Sequence, residues 1–210
     1  GFATGMLSAP AGHATVDVVL VSAGTISGAV RHPNGTAAGA GVRVDLLPAA
    51  NLVQPLATTF TGESGTFEFP LVSPGEYVVE ASDVSGNRGR SNALVINASG
   101  QVLDAPVTFL GRSTVSGRVL DGSGNVVPNV PLTFSSTSLF GPAASVATNA
   151  GPDGTFRFEG VFVGSFTVAA RDPLTNLAGS TAGTVDTDGQ VVTADVRIAA
   201  SANLRGTLYR

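Results

Sequence analysis

Residues 65–69 read Gly-Thr-Phe-Glu-Phe and residues 154–158 read Gly-Thr-Phe-Arg-Phe, a shift of 89 residues, the difference between 154 and 65. The same shift carries Thr25-Ile-Ser-Gly28 onto Thr114-Val-Ser-Gly117, Gly75 onto Gly164, Asp83 onto Asp172 and Gly100-Gln-Val102 onto Gly189-Gln-Val191. A correspondence held over that length constrains the fold more than any short motif, because each copy is the size of a small domain and must close its own core. The 210 residues therefore read as two modules rather than one large domain.

The register continues past both modules. Val16-Asp-Val-Val-Leu20 takes the place of Ala105-Pro-Val-Thr-Phe109, and Asn203-Leu-Arg-Gly206 takes the place of Thr114-Val-Ser-Gly117. The predicted organisation is a closing strand of a preceding repeat in 1–24, β-sandwich repeats in 25–113 and 114–202, and the opening strand of a following repeat in 203–210. This pattern predicts a window on a longer array. Connections as short as Gly111-Arg-Ser113 and Ala200-Ser-Ala202 leave little freedom between modules, so the expectation is a semi-rigid rod.

Within a module the apolar residues alternate with period two, and no long segment keeps them at helical spacing. Strands are predicted near 25–31, 41–47, 56–61, 65–70, 75–82, 90–96 and 102–110, and again near 114–120, 129–135, 145–149, 154–159, 164–171, 180–185 and 191–199. The expected fold class is all-β: tandem seven-stranded Ig-like or transthyretin-like β-sandwiches with essentially no helix. Asn34-Gly35, Ser64-Gly65, Ser99-Gly100, Gly124-Asn125, Asp153-Gly154 and Asp188-Gly189 supply the residues tolerant of positive φ that tight joints need. Phe67 and Phe69, like Phe156 and Phe158, point to one face of their strand and are expected to floor each core.

The order of these elements resembles the carboxypeptidase regulatory-like domain, a transthyretin-like β-sandwich. The residues that carry the resemblance are Ser27-Gly28, Gly41-Val-Arg-Val44, Gly65-Thr-Phe-Glu-Phe69 and Gly75-Glu-Tyr-Val-Val79, then Ser116-Gly117, Val130-Pro-Leu132, Asp153 to Phe158 and Gly164-Ser-Phe-Thr-Val168. It implies tandem modules of secreted or surface-attached bacterial proteins, as adhesin stalks or as accessories to peptidases and glycan-active enzymes. Its motifs are those of a fold, specific for architecture and weak for activity. A related group of stalk repeats is locked by a bond between Lys and Asn, which this chain cannot form: its 11 basic residues are all Arg.

Charged residues make up only 12% of the chain, about half the usual share of roughly 25%. GC-rich coding accounts for Arg in place of Lys, while lateral surfaces buried in an assembly account for both features. A net charge of −4 without any cluster of Arg gives no footprint for nucleic acid or an anionic membrane. No apolar run reaches the ~18 residues of a spanning helix, so membrane insertion is not expected either. Cys 0 excludes disulfides and thiol chemistry and is silent on compartment.

Catalytic material is sparse. The two histidines, His13 and His32, sit at turn-like places and read as exposed loop residues; the counterpart of His32 is Asp121, which no shared mechanism would tolerate. No Gly-x-Ser-x-Gly elbow is present, so no catalytic residue is assigned. Asp121-Gly-Ser-Gly-Asn125 and Asp186-Thr-Asp188-Gly189 bring oxygen atoms together as calcium loops do, but they also make ordinary turns and lack a following bidentate Glu. No metal and no cofactor is expected. Glycan recognition, which favours Trp or Tyr platforms, finds no Trp here and only Tyr77 and Tyr209. Tyr77 alternates toward a core, leaving Phe140 and Phe162 as candidate exposed platforms.

The stretches Pro48–Pro55 and Ser135–Pro142 differ most between modules and read as loops with exposed apolar residues, so Leu52, Val53, Leu139 and Phe140 are the candidate interaction residues. Taken together, the sequence points to a non-catalytic structural or interaction module of an extracellular, bacterial cell-surface stalk, fibre or adhesin-like assembly. Its expected partners are neighbouring repeats or identical chains, with a homopolymer formed through strand edges; a glycan is a second class of partner. The alternative is a carbohydrate-binding or accessory module of a secreted hydrolase.

Overall fold

The computed structural model describes residue 15 and residues 23–199. The flanking strands expected at Val16–Leu20 and Asn203–Gly206, with His13, Tyr209 and the connection at Ala200–Ala202, lie outside the described residues. All regular structure among the described residues is β, and the chain divides into two compact units between Phe109 and Leu110.

The first unit contains β1 (Gly24–Arg31), β2 (Arg43–Pro48), β3 (Ala57–Phe60), β4 (Thr66–Val72), β5 (Gly75–Ser82), β6 (Arg88–Arg90), β7 (Leu94–Ile96), β8 (Val102–Asp104) and β9 (Val107–Thr108). One sheet runs β4-β1-β8, with β9 on the far half of β1; the other runs β3-β2-β5-β6, with β7 on β5. The second unit contains β10 (Arg112–Leu120), β11 (Pro131–Ser138), β12 (Gly141–Pro142), β13 (Val146–Asn149), β14 (Thr155–Phe162), β15 (Gly164–Arg171), β16 (Ala178–Val185), β17 (Val191–Thr193) and β18 (Val196–Arg197). Its sheets run β14-β10-β17, with β18 on β10, and β12-β11-β15-β16, with β13 on β11.

Alternation places Ile26, Phe67, Phe69, Val44, Leu46 and Val79 in the first core, between the two sheets. Val115, Phe156, Phe158, Leu132, Phe134 and Val168 form the second. Phe134 stacks on Phe158 with centroids 4.4 Å apart, a contact the first unit lacks because Leu46 stands in that place. Few polar side chains enter the cores, and those that do are paired. Thr61 donates its hydroxyl to the Gly39 carbonyl at 2.6 Å and accepts the Val42 amide at 3.0 Å. Ser113 likewise donates to the Thr187 carbonyl at 2.7 Å and accepts the Gln190 amide at 3.0 Å.

The first sheet of each unit keeps one register. Gly28 faces Phe67 and Gly117 faces Phe156; Ser27 lies beside Asp104 in parallel pairing and Ser116 beside Thr193. The second sheet departs from the constant shift. Val44 pairs with Ala81 and Leu46 with Val79, whereas Leu132 pairs with Ala170 and Phe134 with Val168, so β11 corresponds to β2 at 88 rather than 89. A one-residue slip would turn every side chain to the other face, so the buried Val, Leu and Phe set the alignment and the flanking loops absorb the difference.

Other expected strands are interrupted. The predicted strand 90–96 breaks between β6 and β7, where the Ser91 hydroxyl accepts the Val79 amide at 2.9 Å in place of a backbone carbonyl. The predicted strands 102–110 and 191–199 break at Ala105-Pro106 and Ala194-Asp195; Pro106 has no amide to give to a ladder. In the opposite direction, the predicted loop from Ser135 is strand as far as Ser138, because Ser135–Ser138 pair with Gly164–Thr167. All six joint glycines adopt positive φ, from 69° at Gly189 to 89° at Gly124.

A Cβ built on Gly28 would fall well inside van der Waals contact with the Ala105 carbonyl and 3.0 Å from the tip of the Phe67 ring; Gly117 meets the Ala194 carbonyl and Phe156 in the same way. We therefore expect Gly28→Ala and Gly117→Ala each to destabilise their unit by about 1–3 kcal/mol through overpacking. Phe67→Ala and Phe156→Ala should each cost roughly 3–5 kcal/mol through the cavity left behind. Urea unfolding checks both sets, and an unchanged midpoint for either glycine variant would contradict the packing described.

Candidate interaction surface

Each sandwich has an open side. Among the described residues of the first unit, β3 pairs only with β2 and β4 only with β1, so both strands are sheet edges there. Edge strands are commonly guarded by charge or Pro. β3, Ala-Thr-Thr-Phe, carries neither. Around it stand Leu56 and Phe60, each 62% exposed, and Leu71 of β4 at 81%. A cleft of about 470 Å³ lies between the two edges, lined by Leu56, Thr59, Phe69, Leu71 and Tyr77. The second unit repeats the feature at β13, Val-Ala-Thr-Asn, whose four residues are all exposed and which, among the described residues, pairs only with β11.

Leu71 reaches this position at a cost. Its φ is 57°, in the left-handed region where a residue with a Cβ loses of order 1–2 kcal/mol. The second unit places Gly160 there, at φ 67°, and covers it with Arg112. The Arg112 Nε–H donates to the Gly160 carbonyl at 3.4 Å and the guanidinium lies 5.6 Å from the centroid of Phe162. At the place of Arg112 the first unit has Ala23, so among the described residues no guanidinium covers Leu71 in the same way. Neither the strained Leu nor the covering Arg carries a sequence signal, because both depend on a bulge between Gly24 and Ile26, or Ser113 and Val115, that only the paired strands reveal.

The residues singled out from sequence divide between the units. Leu52 and Val53 lie in the β2–β3 loop, where the Asn51 carboxamide oxygen accepts the Val53 amide at 3.1 Å and leaves Val53 90% exposed. Leu139 and Phe140 form the two-residue tip of the β11–β12 hairpin, closed by Ser138 opposite Gly141. No single unit gathers all four. Phe140 and Phe162 are also not the open platforms expected: both are half-buried, their centroids 6.0 Å apart. Tyr77 is buried, with its hydroxyl donating to the Ser73 carbonyl at 2.8 Å.

His32 and the turn aspartates are engaged in structure. His32, expected as an exposed loop residue, is half-buried with its ring 5.5 Å from Phe109, because the turn after β1 folds it back over the end of the core. Asp121 accepts the Ser123 and Asn125 amides at 2.8 Å each, and Asp153 and Asp172 serve their own turns in the same manner. Among the described residues no group of three or more His, Asp or Glu side chains is placed to hold a metal ion.

Residues 24–102, less than half of the chain, match the family described as the second β-sandwich domain of NOMO1-like BOS complex subunits. No curated protein matches the sequence. Similar solved structures include the Bacillus anthracis TIE protein, at 14% identity over 85% of this chain and 34% of that one, with a TM-score of 0.39. A streptococcal ancillary pilin is similar at 13% identity over 84% of this chain and 62% of that one, TM-score 0.48. GBS52, the minor pilin of Streptococcus agalactiae, is similar at 13% identity over 87% and 99%, TM-score 0.48. The chain thus spans about a third of the first of these proteins and under two thirds of the second.

Three turn carboxyls titrate below their usual value of 3.8: Asp121 through the Asn125 side-chain amide, Asp153 through the Thr155 hydroxyl and Asp172 through the Thr175 hydroxyl, each helped by backbone amides. A carboxyl held lower in the folded than in the unfolded state stabilises the fold above the unfolded value, and that contribution is lost as pH falls through the folded one. All three lie in the second unit. We expect acidification below 3.8 to weaken the second unit more steeply than the first. Thermal unfolding followed by NMR signals of each unit across this range checks it, and Asp121→Asn should flatten the dependence.

Proposed function

We infer that this chain is a non-catalytic structural and interaction module of an extracellular, bacterial cell-surface stalk, fibre or adhesin-like assembly, and that it associates with neighbouring repeats or identical chains through strand edges. The observation that carries this reading is the pair of uncharged edges, β3 and β13, with Leu56 and Leu71 exposed beside the first. An open edge offers backbone donors and acceptors to another strand, and the apolar side chains at its margin add burial when the strand arrives. The absence of a catalytic role is supported by the way His32 and the turn aspartates are used in packing and in turns.

The finer parts of the proposal follow from the same reading. The units are repeats of the carboxypeptidase regulatory-like kind within a longer array, drawn at 25–113 and 114–202 by the 89-residue shift, with Arg112 and Ser113 at that boundary pairing inside β10 of the second unit, and Leu52, Val53, Leu139 and Phe140 add loop contacts at the ends of the sandwiches. The match of residues 24–102 to a β-sandwich family agrees with that assignment at the level of architecture.

Light scattering over a wide concentration range tests the association. The native chain is expected to grow in mass with concentration, whereas Leu56→Lys combined with Val146→Lys, which guards both edges with charge, should stay monomeric with an unchanged melting temperature. A native chain that remains monomeric at the highest concentration would remove the proposal.

A further inference from the structure

We propose that the outer face of the β4-β1-β8 sheet of one copy binds the outer face of the β14-β10-β17 sheet of a second copy, carboxylate against guanidinium. The proposal rests on the reading that the chain self-associates, and it names a surface and a chemistry that the edges do not supply.

On the first face, Ser27 of β1 stands directly between Glu68 of β4 and Asp104 of β8. Adjacent strands lie ~4.8 Å apart, so the two acidic residues are about 10 Å apart across one row. Among the described residues neither carboxylate has a hydrogen-bonding or ionic partner. The next row holds Ala29 and Thr66, so the centre of the face is low, and a cleft of about 880 Å³ opens there with Phe60 on its margin. Arg31 also lines the cleft, its guanidinium donating to the Gly35 carbonyl at 3.0 Å, and the two unpaired carboxylates with the Phe60 ring at the lip fit a further guanidinium, which pairs with carboxylates and lies flat on aromatic faces.

The equivalent face of the second unit carries two guanidiniums where the first carries a carboxylate and an alanine, with Glu159 and Asp195 beside them. Arg157 takes the place of Glu68 opposite Ser116, Thr193 takes the place of Asp104, and Arg118 takes the place of Ala29. Arg118 and Arg157 are diagonal neighbours on adjacent strands, roughly 7–8 Å apart, close enough to enter one cleft together. The Arg118 guanidinium has no partner among the described residues; only its backbone amide is bonded, to Asp195. Arg157 is paired with Glu159 at 2.7 Å, but both are well exposed, and such a pair rearranges at little cost. The chain therefore carries on one molecule both the acidic cleft and the arginine pair that fits it. A contact between two different faces is heterologous, so each copy has one face of each kind to offer to other copies.

The test uses the 210-residue chain in sedimentation equilibrium at ~0.01 M and ~1 M salt, which bracket Debye lengths of roughly 30 and 3 Å. The native chain should associate at low salt and dissociate at least about tenfold more readily at high salt. Glu68→Arg with Asp104→Arg, and separately Arg118→Glu with Arg157→Glu, should each lose the association that low salt strengthens, while an equimolar mixture of the two should regain it. Circular dichroism and melting curves establish that both variants fold, all four positions being on the surface. Salt-sensitive association that survives either charge reversal undiminished, or association that strengthens with salt, overturns the proposal. If Leu56→Lys with Val146→Lys abolishes association while the charge reversals do not, the edge reading stands and this one falls; a native chain monomeric at both salts removes both.

Discussion

Gly28 and Gly117 set how closely the central strand of each sandwich lies to its neighbours, and much of the remaining architecture follows from that approach. Without a Cβ, β1 admits the Phe67 ring on one side and the Ala105 carbonyl on the other, and β10 admits Phe156 and Ala194. The aromatic residue of the adjacent strand can then cover the middle of β1 and still reach the opposite sheet, which lets so few large side chains fill a core. The same approach fixes the parallel partner: Ala105 donates its amide to the Ser27 carbonyl at 2.7 Å, and Ala194 to Ser116 at 2.8 Å. One strand is thereby held by three others, and the second sheet packs on a surface already defined.

Much of this was legible in the sequence because it depends on short-range alternation and on turn residues. Phe67, Phe69, Phe156 and Phe158 announce their inward face by spacing alone, and the joint glycines announce positive φ. The one-residue offset between β2 and β11 was already present in the strands predicted at 41–47 and 129–135, where Val42 and Val44 fall on Val130 and Leu132, and the pairing with β5 and β15 keeps it. Ser135–Ser138 read as loop, since their strand character comes from pairing with β15 rather than from their own composition.

The candidate surfaces were less readable than the cores. Leu52, Val53, Leu139 and Phe140 were visible as apolar residues in divergent loops, but the exposure of Leu56, Phe60 and Leu71 depends on which strands end a sheet. The difference between the units turns on single substitutions at matching places. Ala23 and Leu71 leave the first unit open where Arg112 and Gly160 close the second. Ala29 likewise leaves a hollow where Arg118 projects. Two copies of one architecture thus present different surfaces to their surroundings, which a duplicated sequence with few charges conceals.

The parallel placement of the first and last strands has a consequence for how each unit bears tension. Because β1 and β9 run the same way side by side, the chain enters the first unit at one end of the sheet and leaves at the other. A pull on the two ends slides these strands past each other and loads the bonds Thr25–Gln101, Ala105–Ser27 and Phe109–Arg31 together, in shear, instead of opening them one at a time as in peeling. β10 with β17 and β18 repeats the arrangement, so resistance to extension is built into the strand order of both units.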